Sequence, residues 1–397
     1  MSKIAILGLG TVGTGVAKVV AENARQIERK LGEPLTVKCI LVRHFKDGPY
    51  RQLMIDNFSH IERDEEIRVV VETIGGVDAA YEYTKRALEA GKHVVTANKQ
   101  LVAEKGCELL KLARKKNVNY LFEASVGGGI PVLHPLTECL CANRVDEIYG
   151  ILNGTTNYIL TRMVRTGAFF SDALREAQAK GYAEADPTDD VQGIDAGRKI
   201  CILADLAFGA QVRPEDVPME GITKLSLRDV KVAQRAGYRI KLLGRCLRMP
   251  GGGRTAYVAP HLVAEERPLA NVEDVFNAVV VKGNAVGEVM FYGRGAGELP
   301  TASACVSDVL ESLRRNPRQE ELGWSSDFDG FIDPMEVSTR FYFRIEGSLT
   351  DAAMAFGQVE VLSEDGETGF LTDRITGREA LEQSRSLNVL ACLRVLG

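Results

Sequence analysis

Little in this sequence of 397 residues points to a membrane, a nucleic acid or an oxidising compartment. No apolar run approaches the roughly 18 residues that a membrane span needs, so no membrane partner is expected. The formal net charge of −5 at pH 7 leaves no basic footprint, and nucleic acid is not an expected partner either. Met1 to Gly10 runs directly into an apolar strand, without the charged n-region and cleavage site of an export signal. A cytoplasmic protein is therefore expected. The cysteines are scattered and read as reduced, buried thiols. Cys139 and Cys141 form a C-x-C with no second cluster or neighbouring histidine, which argues against zinc. Histidine is thin as well. His44, His60, His93, His134 and His261 stand isolated and read as structural or surface groups, so a histidine acid or base is not expected.

What is present is globular and multidomain. The length exceeds what one hydrophobic core usually serves, and 45% hydrophobic with 26% charged residues is ordinary for a folded enzyme. Lys3-Ile-Ala-Ile-Leu7 is a short apolar run, as a buried parallel strand would be. Gly8-Leu-Gly-Thr-Val-Gly13 follows, and Val12 to Lys30 reads as a helix with Val16, Val19, Val20, Ala24 and Ile27 inward. A strand, then G-x-G-x-x-G, then a helix is the context that gives the motif meaning. Gly8 permits the turn, Gly10 lets backbone approach a pyrophosphate, and Gly13 lets the helix pack closely on the strand. The first N–H groups of the helix, from Thr11 and Val12 onward, would face the phosphate.

Further strands are expected at Leu35–Val42, Val69–Thr73, His93–Thr96 and Tyr120–Ala124, with helices at Ala79–Ala90 and Leu101–Lys116. That alternation predicts a doubly wound parallel sheet, a Rossmann domain, with Thr73 among the cofactor residues. An acidic side chain for the adenosine ribose should close the second strand, yet Leu41-Val-Arg43-His44 stands there. An arginine suits a 2′-phosphate, so NADP is expected ahead of NAD, with Lys105 as a second phosphate partner.

Two lysines can do acid–base work where histidine does not. Ser171 reads as the N-cap of a helix from Asp172 to Lys180, and a second helix is expected from Asp189 to Phe208. On it Asp195 and Lys199 are spaced i,i+4 among Val191, Ile202 and Leu206, so a partly buried pair is expected. A lysine serves as a proton shuttle if desolvation or a neighbouring cation lowers its pKa.

Three segments carry a resemblance: Thr96-Ala-Asn-Lys99, Gly150-Ile-Leu-Asn-Gly-Thr-Thr-Asn-Tyr158, and Gly181 to Lys199. With the glycine loop they closely resemble the homoserine dehydrogenase family, from residue 3 to about 335. The resemblance implies hydride transfer between homoserine and aspartate 4-semialdehyde, in the threonine and methionine branch of amino-acid biosynthesis. It implies that Lys99 and Lys199 line the reaction centre, with Asp195 orienting Lys199. Glu184 and Asp190 match positions that hold the substrate ammonium, and Gly154, Thr155 and Tyr182 match positions that contact the substrate. Asp189 competes with Asp190 by one place in the alignment. The stretch Glu123 to Ile130 resembles the family's loop for a monovalent cation, usually sodium, held by the backbone carbonyls of Glu123, Val126, Gly128 and Ile130. Phe291 to Gly297 with Pro300 to Ser303 resembles a second cofactor loop. Gly297 belongs to it, Arg294 stands where proline is common, and Thr301 is expected to cap a helix running to about Arg315. A homodimer or homotetramer is implied.

The expected domains are a Rossmann domain at 1–135 with about 300–318, an α+β catalytic and dimerisation domain at 136–335, and a small βαββαβ domain at 340–397 that resembles the regulatory ACT domain. In the last, Gly347-Ser-Leu-Thr-Asp351 lacks the aspartate, proline and glycine at the places usual in effector-binding members. Two other classes compete. An NADP-linked semialdehyde dehydrogenase would need an activated thiolate. A non-catalytic redox sensor would not need Glu184, Asp190, Asp195 and Lys199 on one segment.

Overall fold

A computed structural model describes residues 1–314, 324–326 and 331–397. Residues 315–318, including Arg315 as a helix end, lie outside the described residues. The chain forms two compact units. The first comprises Met1–Arg144, Cys201–Pro214 and Gly293–Phe328, and the second Val145–Ile200, Glu215–Tyr292 and Asp329–Gly397.

The first unit begins with β1 (Ser2–Leu7), α1 (Thr11–Glu22), α2 (Ala24–Leu31), β2 (Leu35–Leu41), β3 (Met54–Ile55) and α3 (Ser59–Glu62). It continues through β4 (Ile67–Glu72), α4 (Asp78–Glu89), β5 (His93–Thr96), α5 (Lys99–Lys116) and β6 (Tyr120–Leu121). The strands pair in parallel in the order β3-β2-β1-β4-β5-β6, the doubly wound arrangement read from the sequence. The helix expected over 12–30 is two helices, divided at Asn23, which takes a non-helical conformation. A later helix joins this unit: Ala302, Cys305 and Val309 share a core with Ile4, Ile6, Val16, Val69, Val71 and Val95.

The second unit carries β7 (Val145–Ile151), α6 (Gly154–Thr166), α7 (Phe170–Ala179), α8 (Thr188–Val191) and the start of α9 (Ile194–Phe208), whose residues from Cys201 onward belong to the first unit. After them come α10 (Leu227–Arg235), β8 (Tyr238–Arg248), β9 (Arg254–Ala264), β10 (Phe276–Gly283) and β11 (Gly287–Arg294). Then α11 (Glu298–Arg314) belongs to the first unit. Three helix starts differ from expectation. The N-cap of α7 is Phe169, so Ser171 already lies in the first turn and caps nothing. The helix expected from Asp189 is broken: α8 is one turn, Gly193 takes φ +83°, and α9 restarts at Ile194. Only glycine adopts that conformation freely. Thr301 is buried inside α11, which begins earlier, at Glu298.

The tail contains β12 (Ser338–Thr339), β13 (Phe341–Ile345), α12 (Leu349–Phe356), β14 (Glu360–Glu364), β15 (Thr368–Leu371), β16 (Ile375–Thr376), α13 (Gly377–Gln383) and β17 (Val389–Leu396). Its four long strands run β17-β13-β15-β14, and β17 pairs in parallel with β9. The result is one nine-stranded sheet, β11-β10-β7-β8-β9-β17-β13-β15-β14. Phe341, Phe343, Ile345 and Phe370 of the tail strands bury against Ala352 of α12 and Ala380 of α13.

Candidate active site

The cofactor end is built almost wholly from backbone. A Cβ on Gly13 would lie 2.0 Å from the Gly8 carbonyl oxygen, so only glycine lets α1 approach the end of β1 this closely. A Cβ on Gly10 would meet nothing within 4 Å, which leaves its backbone open to a ligand. Gly10 is the N-cap of α1 and its carbonyl first accepts from Thr14 N–H, so the N–H groups of Thr11, Val12 and Gly13 point outward as donors. Thr73 ties β4 to β1, its hydroxyl donating to Leu7 O at 2.8 Å. A cleft of about 470 Å³ is lined by Gly8, Gly10, Arg43, His44, Lys46 and Thr73 among others. Arg43 lines this cleft; Lys105 does not, and its ammonium lies 5.6 Å from the Tyr81 ring centroid. His44 and Lys46 line the cleft instead. The signal for them was the cation-rich stretch that follows β2; His44 is exposed, as the reading of the histidines as structural or surface groups expects. The others fit that reading where contacts are given. His261 is fully buried and neutral, its pKa lowered to about 3 by burial, and His93 accepts from Asn119 N–H at 3.0 Å.

Lys99 opens α5 and is partly buried. The loop before it is fixed through hydrogen bonds. The buried Glu72 carboxylate accepts from Thr96 Oγ1 and Ile74 N–H, and Thr96 Oγ1 accepts from Asn98 N–H at 2.9 Å. Asn98 caps α5 by accepting from Leu101 N–H, while its amide donates to Ile74 O and Gly76 O. The cleft wall at 73–75 and the start of Lys99's helix are thus one hydrogen-bonded piece. Burial pushes the Glu72 carboxyl up to about 7, against the opposing hydrogen bonds from Thr96 and Ile74.

The loop at 123–130 has its own logic. The Glu123 carboxylate accepts from the N–H groups of Val132, Leu133 and His134 at 2.6, 2.9 and 2.6 Å, and its own N–H donates to Asp308. Gly128 sits at φ +57°, with a would-be Cβ 2.3 Å from Gly295 O, and Gly129 N–H donates to Arg294 O. The two glycine loops, 127–130 and 293–297, are therefore packed backbone on backbone within the first unit.

In the second unit the chemistry is carried by side chains. Lys199 and Asp195 are 8% and 4% exposed, and Lys199 Nζ donates to Asp195 Oδ2 at 2.7 Å and to Leu152 O at 2.8 Å. Burying such a pair contributes little to stability, since desolvation offsets the Coulomb gain. Asn153 caps α6 and donates through Nδ2 to both Asp190 Oδ1 (2.6 Å) and Asp195 Oδ2 (2.9 Å). Asp190 faces inward and is half-buried. Burial raises its pKa and the Asp195 charge adds to that, while the Asn153 hydrogen bond and the Lys199 charge oppose it. Asp189 is exposed and pairs with Arg198 at 2.5 Å, whereas Asp190 is the one held by Asn153. Thr155 Oγ1 donates to Tyr182 O at 2.7 Å, and Tyr182 stands edge-on to Tyr158. A Cβ on Gly154 would lie 2.8 Å from Val275 O. Glu184 is exposed and has no ion pair among the described residues. Asn153 is the residue that sequence reading missed.

Cys39, Cys107, Cys201, Cys246 and Cys305 are buried as expected, whereas Cys139, Cys141 and Cys392 are exposed and correct that expectation. Cys201 is fully buried, burial pushes the Cys39 thiol up to about 11, and Cys305 is pushed higher still, the reverse of what a nucleophile needs.

Family models described as the NAD-binding domain of homoserine dehydrogenase and as homoserine dehydrogenase match residues 8–123 and 131–310. A homoserine dehydrogenase from Neisseria gonorrhoeae is 43% identical over 371 residues, covering 90% of this chain and 84% of that protein. The chain belongs to the homoserine dehydrogenase family. A solved homoserine dehydrogenase from Thiobacillus denitrificans superposes with a TM-score of 0.91 at 37% identity, covering 100% of this chain and 98% of that one. A hyperthermophilic archaeal homoserine dehydrogenase solved in complex with NADPH gives 0.67 at 28% identity, covering 80% and 99%. Homoserine dehydrogenases are NAD(P)-dependent oxidoreductases, and this chain is an enzyme of that type, interconverting L-homoserine and L-aspartate 4-semialdehyde. That excludes a thiolate-dependent semialdehyde dehydrogenase and a sensor without turnover. Among the described residues no helix is long and apolar enough to cross a membrane.

Proposed function

We propose that the chain oxidises and reforms homoserine with NADP as the preferred cofactor, and that Lys199 handles the proton. The observation that carries this is the buried Lys199–Asp195 pair joined through Asn153 to Asp190. Bound nicotinamide supplies or accepts the hydride. Asp195 holds the Lys199 ammonium in one orientation, and Lys99 supplies the second ammonium of the reaction. Asp190 and the exposed Glu184 hold the substrate ammonium by direct charge complement, with Gly154, Thr155 and Tyr182 shaping the contact. Arg43 reads the 2′-phosphate, supported by its place in the cleft where NAD enzymes carry an acid. Gly8, Gly10, Thr11, Val12, Gly13 and Thr73 take the pyrophosphate end, and Gly297 belongs to the second cofactor loop.

The 123–130 loop fits a monovalent cation such as sodium. Its carboxylate is spent on three N–H groups, so the donors left are neutral carbonyls, those of Glu123, Val126, Gly128 and Ile130, as a singly charged ion suits. The cation's part is to hold the two glycine loops in place. The tail is read as an ACT-like domain at 340–397, beside a Rossmann domain at 1–135 with the helix from about 300 and a catalytic domain at 136–335. The strand–helix order and the strand arrangement β17-β13-β15-β14 support it. A cytoplasmic homodimer or homotetramer completes the proposal. The direct test is reduction of NADP and NAD by the purified protein given homoserine, across pH 7 to 10, with sodium or potassium present. Equal kcat/KM with both cofactors would remove the NADP reading.

A further inference from the structure

Two carboxylates, Asp190 and Asp195, meet at one amide. Asn153 Nδ2 donates one hydrogen to Asp190 Oδ1 and the other to Asp195 Oδ2. Its Oδ1 accepts from Thr156 N–H at 2.8 Å and from Thr156 Oγ1 at 3.0 Å. These contacts leave one orientation for the amide. Turned over, its oxygen would face two carboxylates and its NH2 would face a backbone donor. Leu152, the preceding residue, accepts from Lys199 Nζ, so consecutive positions hold the lysine, its carboxylate and the neighbouring carboxylate. Asn153 is 4% exposed and lies 37 and 42 residues from its two partners.

We propose that Asn153 is a positioning residue of the homoserine site, an uncharged clamp that keeps Asp190 and Asp195 side by side with their charge intact. The inference rests on the reading of Asp190 and Lys199 given above. Asp195 already has Lys199, but the half-buried Asp190 beside it needs stabilising too, and a second lysine or an arginine would do so most strongly. A cation would also cancel the negative charge that is to meet the substrate ammonium. An amide stabilises both carboxylates and leaves that charge available. Asn153 thus opposes the rise in Asp190 proton affinity that burial and Asp195 produce, while the same side chain fixes the carboxylate that orients Lys199.

The test separates the clamp from the cap. Asn153→Ser keeps a good N-cap for α6 but has no amide to reach the carboxylates. Asn153→Asp keeps cap and shape and sets a third carboxylate against the other two. For Asn153→Ser, KM for homoserine should rise by about tenfold or more, the value of a lost charge-assisted hydrogen bond. The acidic limb of kcat/KM should move to higher pH, because Asp190 takes up its proton more readily. NADP affinity should stay at the wild-type value. Asn153→Asp should show the same changes, larger. Should the aspartate chain not fold, the serine chain decides. A fall in kcat with KM and the pH limb unmoved, or kinetics like the wild type, overturns the proposal. Asp190→Asn and Lys199→Ala are run beside them. Wild-type kinetics in those two would instead overturn the reading of the site, whatever Asn153 does.

Discussion

In the first unit the proposed cofactor surface is backbone and open: glycines, the N–H groups at the start of α1, and a cleft lined in part by Arg43, His44 and Lys46. In the second it is carboxylate and ammonium, buried and tied to one amide. Phosphate is recognised by many small dipoles that no single substitution removes. An amino acid is recognised by a few full charges, each costly to bury and so each costly to lose. Point changes should therefore act as switches in the second unit and as graded adjustments in the first.

The sharpest break in that contrast comes from Lys199→Ala. Turnover should fall by about 10² to 10⁴-fold, the range for a lost acid–base group, with NADP affinity unchanged by fluorescence titration. Asn153 substitution, described above, comes next. In the first unit, Arg43→Glu should weaken NADP by about 10- to 100-fold, the worth of a charge-assisted contact to phosphate, and NAD much less. Equal loss for both cofactors in competition assays would deny Arg43 its role. Gly13→Ala forces a methyl against the Gly8 carbonyl and should lower urea stability by about 1–3 kcal/mol. The last test concerns a buried charge inside the backbone-built unit. The Glu72 carboxyl sits at about 7 in the folded chain against 4.5 ordinarily, so between those values the folded state binds the proton more tightly. Stability should accordingly fall as pH rises from 4.5 to 7, and Glu72→Gln, which cannot ionise, should flatten that slope in Tm measured from pH 5 to 8. An unchanged slope would mean that Glu72 is not buried as described.

Much of the first unit was legible because its signals are local. A glycine motif between a strand and a helix, and a strand-end arginine, need only their immediate neighbours to be read. The Asp195–Lys199 pair was legible for the same reason, being one helical turn apart with apolar flanks. What escaped needed the third dimension. Asn153 reaches its partners across 37 and 42 residues. Asp189 and Asp190 differ by one position, about 100° around a helix, and only packing decides which faces in. The break at Gly193 looked like helix interior because the periodicity continues on both sides. The nine-stranded sheet was invisible too, since periodicity announces strands but not their partners.

The parallel seam between β17 and β9 has a consequence for how the chain is made. Arg394 lies against His261, so a strand of the catalytic half keeps a bare edge until more than a hundred further residues have been synthesised. An edge of that kind is a template for pairing with another nascent chain. The last strand closes it, so removing residues 389–396 should leave a protein that associates through the vacated edge, whether or not the tail senses any metabolite.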